Sequence, residues 1–374
     1  MTMSSKLVSV FAAFVITSLA GAQSANRAAH VAAIDSIVGA ALKGGRAAGM
    51  SVGVIRGNDT LVLKGYGKAD LELDVPTPPR AVYEIGSVTK QFTAAALLLL
   101  AEEGKLSLDD DLTKHLPDYP TAGNKIPLRR LLDHTSGIKG YTEIPKFGTI
   151  MTRKLAKDSL VAIFKDLPFD FSPGTGLVYN NSAYFLAGLI IEKVSGMSYA
   201  DFVAKRFFEP LGMKESHYCN ERQVVKNRAH GYDMGPGGVL QLKGYIDHTY
   251  PYAAGSLCSS TADLLTWLRA LHGGRVLNER AYRALITPDT LNDGTRLRYA
   301  KGVAVHTLAG HEVIEHGGGI NGFLSSTIWV PREKMAVVVL VNTAGPVSAD
   351  DIAASIVTTV LGRGGAAPNV AANG

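Results

Sequence analysis

Cysteine is almost missing from this 374-residue sequence, which has only Cys219 and Cys258. Neither carries the neighbouring histidine signature of a cysteine hydrolase. The pair could close one moderately long disulfide loop in an oxidising compartment or remain as two buried thiols, and the residues leave both open. Runs of basic residues are also absent. The net charge is +5, but the 38 Lys and Arg residues are scattered, with no patch that would bind nucleic acid or heparin. There is no low-complexity linker, so one large domain or two interleaved domains fit the length. The G-x-S-x-G elbow of the α/β-hydrolases is missing too.

No segment after the N-terminus is apolar for long enough to span a bilayer; at the N-terminus Lys6 precedes an apolar stretch from Leu7 to Leu19 and then Ala20-Gly21-Ala22. The run is short for a bilayer span and ends in small residues, the pattern of a signal peptide over residues 1–22 cleaved after Ala22. The expected location is periplasmic or secreted, with no stable membrane insertion after cleavage; an uncleaved anchor is the alternative. No cysteine follows the run, which disfavours a lipoprotein anchor.

What is present suits a globular chain with a sizeable core: 46% hydrophobic and 19% charged residues, with 40 glycines. Helical spacing of Val31, Ile34, Ile37, Val38 and Leu42 predicts an amphipathic helix from Asn26 to about Lys43. Met50 to Ile55 and Leu61 to Tyr66 read as a β-hairpin turning at Gly57-Asn58-Asp59. Residues Ser87 to Glu103 hold no Pro or Gly and are apolar nearly all round, as a buried helix would be. Helical segments at 128–132, 154–164, 183–194, 199–207 and 261–271 dominate the middle, where strand signals are sparse. Strands are predicted at 299–307, 311–316, 323–330 and 335–342, then a last helix at 349–361. The expected class is α+β, an antiparallel sheet flanked by helices. Residues 26–105 and 268–362 form the sheet domain around a mainly helical insert, 106–267, with a disordered tail at 363–374.

Ser87-Val88-Thr89-Lys90 places a hydroxyl and an amine on one helix face. Burial would favour the neutral, proton-accepting form of Lys90, and the helix N-terminus would stabilise developing negative charge. Spacing alone is weak, since such a pair arises by chance roughly once in a chain of this length. Further motifs follow it in order: Leu131-Leu132-Asp133-His134-Thr135-Ser136-Gly137, then Tyr179-Asn180-Asn181, then His316-Gly317-Gly318.

Together these resemble the serine β-lactamase-related family, which includes class C β-lactamases, penicillin-binding proteins, family VIII esterases and D-aminopeptidases. The resemblance runs from about His30 to Leu361. It implies the β-lactamase/transpeptidase-like fold, with Ser87 as nucleophile and Lys90 and Tyr179 as its catalytic proton-handling partners. A phenol beside an ammonium would lose its proton more readily, which suits Tyr179 as a base. The resemblance makes Asn181, His316 and Gly318 substrate-orienting, and backbone N–H groups of Ser87 and Gly319 the oxyanion hole. His134-Thr135-Ser136 falls in a motif that is architectural in the family. The sequence departs from the β-lactamases at His316-Gly317-Gly318, where they carry Lys-Thr-Gly. A titrating histidine there resembles the esterases, D-aminopeptidases and D-amino-acid amidases, and argues against efficient β-lactam hydrolysis.

Two other motifs fail on context. Gly317 to Gly322 matches G-x-G-x-x-G, but a strand follows where a dinucleotide site needs a helix. His311 and His316 flank a zinc-like run, yet they lie five residues apart and on opposite faces of a strand. No metal and no cofactor are expected. The function expected is hydrolysis of an ester or amide, including D-amino-acid-containing or peptidoglycan-derived peptides, through a Ser87 acyl-enzyme. The partner is then a small molecule or short peptide. The alternatives are a β-lactamase or DD-carboxypeptidase, and a non-enzymatic penicillin-binding sensor or scaffold.

Overall fold

A computed structural model describes residues 27–362; the leader-like segment with its cleavage point, and the 363–374 tail, lie outside the described residues. Helix α1 covers residues 27–42 and buries Ile34 and Val38 completely, as its three-to-four spacing requires. The hairpin follows as β1 (Gly49–Arg56) and β2 (Asp59–Asp70), with a two-residue strand, β3 (Val75–Pro76), on the outer edge. Near the other end of the chain come β4 (Ala304–Leu308), β5 (His311–Ile320), β6 (Phe323–Val330) and β7 (Met335–Val341). They complete a seven-stranded sheet in the order β3-β2-β1-β7-β6-β5-β4. Every pairing is antiparallel, and the two chain ends meet where Met50 pairs with Val341.

Both faces of the sheet are covered, which is why β7 reads as an unbroken apolar run. Met335, Val337, Val339 and Val341 point into one core with α1 and the last helix, α5 (Ala349–Leu361). Ala336, Val338 and Leu340 point into the other, larger core. Each buried aliphatic side chain contributes about 1.5–3 kcal/mol. On the larger-core face, helix α4 (Thr261–His272) comes so close that a Cβ on Gly53 would lie 2.7 Å from Leu265 Cδ1. Helix α2 (Thr89–Glu102) runs through this core, with Phe92 stacked on Trp267 at 3.9 Å. Helix α3 (Asn181–Ser195) packs against it from the helical middle.

The structure departs from sequence expectation in three places. The strand expected from residue 299 begins at Ala304, because Gly302 turns with φ of 75° against the Lys90 carbonyl. The strand expected to end at His316 continues to Ile320. The middle of the chain also holds short strands at His217–Tyr218, Tyr232–Met234, Leu240–Leu242 and Leu257–Ser259, too brief to show an alternation. Cys219 and Cys258 form a disulfide, which resolves the choice that the sequence left open. The loop it closes holds the segment 240–252.

Candidate active site

Ser87 stands in a single 3-10 turn, Gly86–Val88, that runs straight into α2. The turn is clamped on both sides: Ile85 N–H donates to Leu257 O at 2.9 Å, and Ser325 Oγ donates to Ile85 O at 2.8 Å. Strand β4 pairs only with residues 311–315 of β5, so β5 from His316 to Ile320 leaves an open edge facing this turn. Contact there is tight enough to demand glycine. A Cβ on Gly318 would strike Ile85 O and lie 3.1 Å from Ser87 N, and Gly86 takes φ of 48° against the Gly319 backbone. The two expected oxyanion-hole residues, Ser87 and Gly319, therefore face one another across the cleft mouth.

Lys90, the second residue of α2, is fully buried, and among the described residues no carboxylate compensates it. Burial alone drives its amine well below the ordinary value of 10.5. Its Nζ lies 2.8 Å from Asn181 Oδ1, 2.8 Å from Ala254 O and 3.1 Å from Ser87 Oγ. A neutral amine has two hydrogens and one lone pair. The two shorter contacts go to groups that only accept, so the lone pair is left for the Ser87 hydroxyl.

Tyr179 ends the loop before α3, whose N-cap Asn180 accepts from Ala183 N–H at 2.8 Å. Its ring faces Lys90 Nζ at 4.7 Å. The expected acidification of this phenol is not what the structure gives. Although 41% of its surface is exposed, desolvation raises its pKa, and a hydrogen bond with Ser87 only partly offsets this. The raised phenol and the lowered amine both favour passing a proton from Ser87 towards Lys90 rather than towards Tyr179. Asn181 turns its oxygen to Lys90 and its amide nitrogen to Thr142 Oγ1 at 3.3 Å.

His316 was expected to orient substrate, with an imidazole titrating near neutrality. In the fold it is buried, and desolvation lowers its pKa to about 3. Nδ1 donates to Gly317 O at 2.5 Å, leaving Nε2 to accept from Tyr299 O–H at 2.8 Å. Both nitrogens are occupied within the protein, so this ring supports the β5 edge and is not free to grip a ligand. Tyr299 was missed by sequence reading because no motif contains it. Ala254 and Thr142 were missed too, one acting through its backbone and the other standing alone in a loop.

Above Ser87 lies a cleft of about 170 Å³. Its walls include Tyr141, Phe147, Ile246, Pro251, Asn181 and Ile320, and among the described residues no charged side chain lines it. A family model described as Beta-lactamase matches residues 34–360. The chain belongs to the Beta-lactamase family. Its fold is accordingly the β-lactamase/transpeptidase-like α+β architecture. Among solved structures, it is similar to the octameric penicillin-binding protein homologue from Pyrococcus abyssi, at 29% identity and a TM-score of 0.80 over 89% of this chain and 78% of that one. The D-stereospecific amidohydrolase from Streptomyces sp. gives 27% and 0.77, covering 89% of this chain and 99% of that one. Penicillin-binding protein 4* of Bacillus subtilis (strain 168) is 29% identical over 301 residues, 76% of this chain and 66% of that protein. Protein flp of Staphylococcus aureus (strain MRSA252) is 29% identical over 320 residues, 83% of this chain and 62% of that protein. The chain thus spans a little under two thirds of these two curated relatives.

Folding of this Beta-lactamase-family chain also assembles two groups that its sequence hides, Asp70-Glu72-His230 and Glu84-Glu221-His248, each with ligand atoms within 4.8 Å. The first is largely exposed. In the second, Lys243 donates to Glu84 and lies 3.8 Å from Glu221, and Arg228 lies 3.5 Å from Glu221. Two cations already balance the two carboxylates, which leaves little electrostatic demand for a metal ion. Among the described residues no helix is long and apolar enough to cross a membrane.

Proposed function

We propose that this protein is an exported serine hydrolase that cleaves an ester or amide lacking a carboxylate at the reacting end, through an acyl-enzyme on Ser87. One observation carries the reading: a fully buried, uncompensated Lys90 whose lone pair is left for the Ser87 hydroxyl. Ser87 Oγ attacks the carbonyl carbon as its proton passes to Lys90 Nζ, and the resulting oxyanion is held by the Ser87 and Gly319 N–H groups. Tyr179 O–H protonates the departing oxygen or nitrogen and regains a proton from Lys90. Water then attacks the acyl-enzyme by the same route in reverse, releasing the acid and restoring Ser87.

The uncharged cleft favours a substrate without a carboxylate at the reacting end, in keeping with esters and amino-acid amides. The structural likeness to D-stereospecific amidohydrolase and D-amino acid amidase supports an amide of a D-amino acid as one such substrate. The likeness to penicillin-binding protein 4* favours a second reading, in which Ser87 captures penicillin and holds it. No nucleic-acid partner enters either reading.

The test compares wild type with Ser87→Ala on a short-chain nitrophenyl ester, a D-amino-acid amide and a chromogenic cephalosporin, with intact mass measured alongside. Ser87-dependent turnover of the ester or amide is expected, with little turnover of the cephalosporin. A lasting stoichiometric penicilloyl adduct without turnover points to the second reading. Equal activity in folded Ser87→Ala removes both.

A further inference from the structure

His134 stands outside the proton path, yet it holds Tyr179 from three directions. Its carbonyl accepts from Val178 N–H at 3.2 Å, and its Nδ1 accepts from Asn180 N–H at 3.1 Å. These are the residues on either side of Tyr179. Its ring packs on the Tyr179 ring, with centroids 4.3 Å apart. From the geometry we infer that His134 is the positioning residue that fixes the Tyr179 phenol over Ser87. This rests on the acyl-enzyme reading of the site.

The grip depends on a backbone anchored independently of Tyr179. His134 adopts φ of 62°, a left-handed conformation that histidine tolerates better than most residues. Next to it, Thr135 N–H and Oγ both donate to Asp133 Oδ1, and Gly174 N–H donates to Thr135 O at 2.8 Å. The loop is therefore held whether or not the tyrosine is in place.

The imidazole must also be neutral, because a protonated Nδ1 would face the Asn180 N–H as a second donor. Burial lowers its pKa well below 6.5. The titratable groups around it are Lys90, His316, Tyr179, Tyr184 and Tyr299. Nδ1 is an acceptor, so Nε2 carries the proton; it is buried and has no partner. That cost is borne for an imidazole at this place in the fold, which a spacer residue would not need.

Single-turnover acylation by an activated ester tests the role in His134→Phe, His134→Asn, Tyr179→Phe and the His134→Phe/Tyr179→Phe double variant. Phe keeps the ring packing but loses the Nδ1 acceptor. Asn restores an acceptor and tolerates the left-handed backbone. His134→Phe is expected to slow acylation about 10- to 100-fold with KM little changed, the scale of an ångström-level misplacement. His134→Asn should recover to within about fivefold of wild type, by the same reasoning. In the Tyr179→Phe background, His134→Phe should add almost nothing, because its effect passes through the phenol.

Wild-type rates in folded His134→Phe overturn the inference, as does full additivity with Tyr179→Phe. If His134→Phe does not fold, His134→Asn decides through the same pairing: a loss that disappears in the Tyr179→Phe background supports the role, and unchanged acylation or a loss fully additive with Tyr179→Phe refutes it. A wild-type protein that fails to acylate at Ser87 would instead remove the underlying hydrolase reading.

Discussion

Replacing Gly86 by alanine tests whether the oxyanion hole depends on the close approach of two backbones. The added Cβ would lie 2.9 Å from Gly319 O and 3.0 Å from Gly319 C and N, where ordinary contact begins at 3.4 Å. Gly319 must retreat by about 0.5 Å to restore contact. A half-ångström shift is at the edge of productive geometry, and a full ångström costs about 100-fold, so acylation should slow by about 10- to 100-fold. The φ of 48° at Gly86 adds roughly 1–2 kcal/mol of backbone strain, and crowding of the contact adds a similar amount. Strain alone must be separated from displacement. Gly196, at the end of α3, has φ of 71° and open space around its Cβ position, so Gly196→Ala carries similar strain far from the cleft. The assay is the pre-steady-state acylation rate beside Tm for both variants. Gly196→Ala should lower Tm and leave acylation unchanged, while Gly86→Ala lowers both. A folded Gly86→Ala protein acylating within threefold of wild type would refute the reasoning.

Lys90→Met should reduce acylation by about 10²–10⁴-fold, the usual scale for losing a general base, while the protein stays folded. Its stability should also lose a pH dependence. Lys90 is held below 10.5 in the fold, so between its folded value and 10.5 the unfolded chain binds the extra proton, and wild-type stability rises with pH across that window. Denaturant titrations of both proteins at several alkaline pH values check this; parallel curves count against a buried neutral amine. Reducing the Cys219–Cys258 disulfide, which spans 39 residues, should cost about 4 kcal/mol if loop-closure entropy dominates. Because the freed loop carries Ile246 and Pro251 of the cleft wall, KM should rise under mild reductant before global unfolding is seen by circular dichroism.

The parts of this site that were legible in the sequence are those whose geometry is local. Ser87 and Lys90 meet because helical spacing brings them together, and the hairpin at Gly57 and the apolar run of β7 follow from short-range rules. What escaped arises from distant contacts. Tyr299, Ala254 and Thr142 touch the catalytic groups from segments without motifs, and a carbonyl such as that of Ala254 leaves no trace in residue identity. His316 was visible as a motif residue, but its neutral state was not, since that depends on enclosure by Tyr299 and the β5 edge. The upward shift of the Tyr179 phenol was hidden for the same reason: it follows from desolvation of that ring by distant segments.

The pairing of Met50 with Val341 also has a bearing on when this protein can fold. The first long strand has no inner neighbour until nearly the last one has been synthesised, and Ser87 has no Gly319 opposite it until then. A chain still emerging from the ribosome is therefore both open and inert. Closing so long a loop is slow, so the central sheet and the Ser87–Gly319 approach are completed together, late in folding.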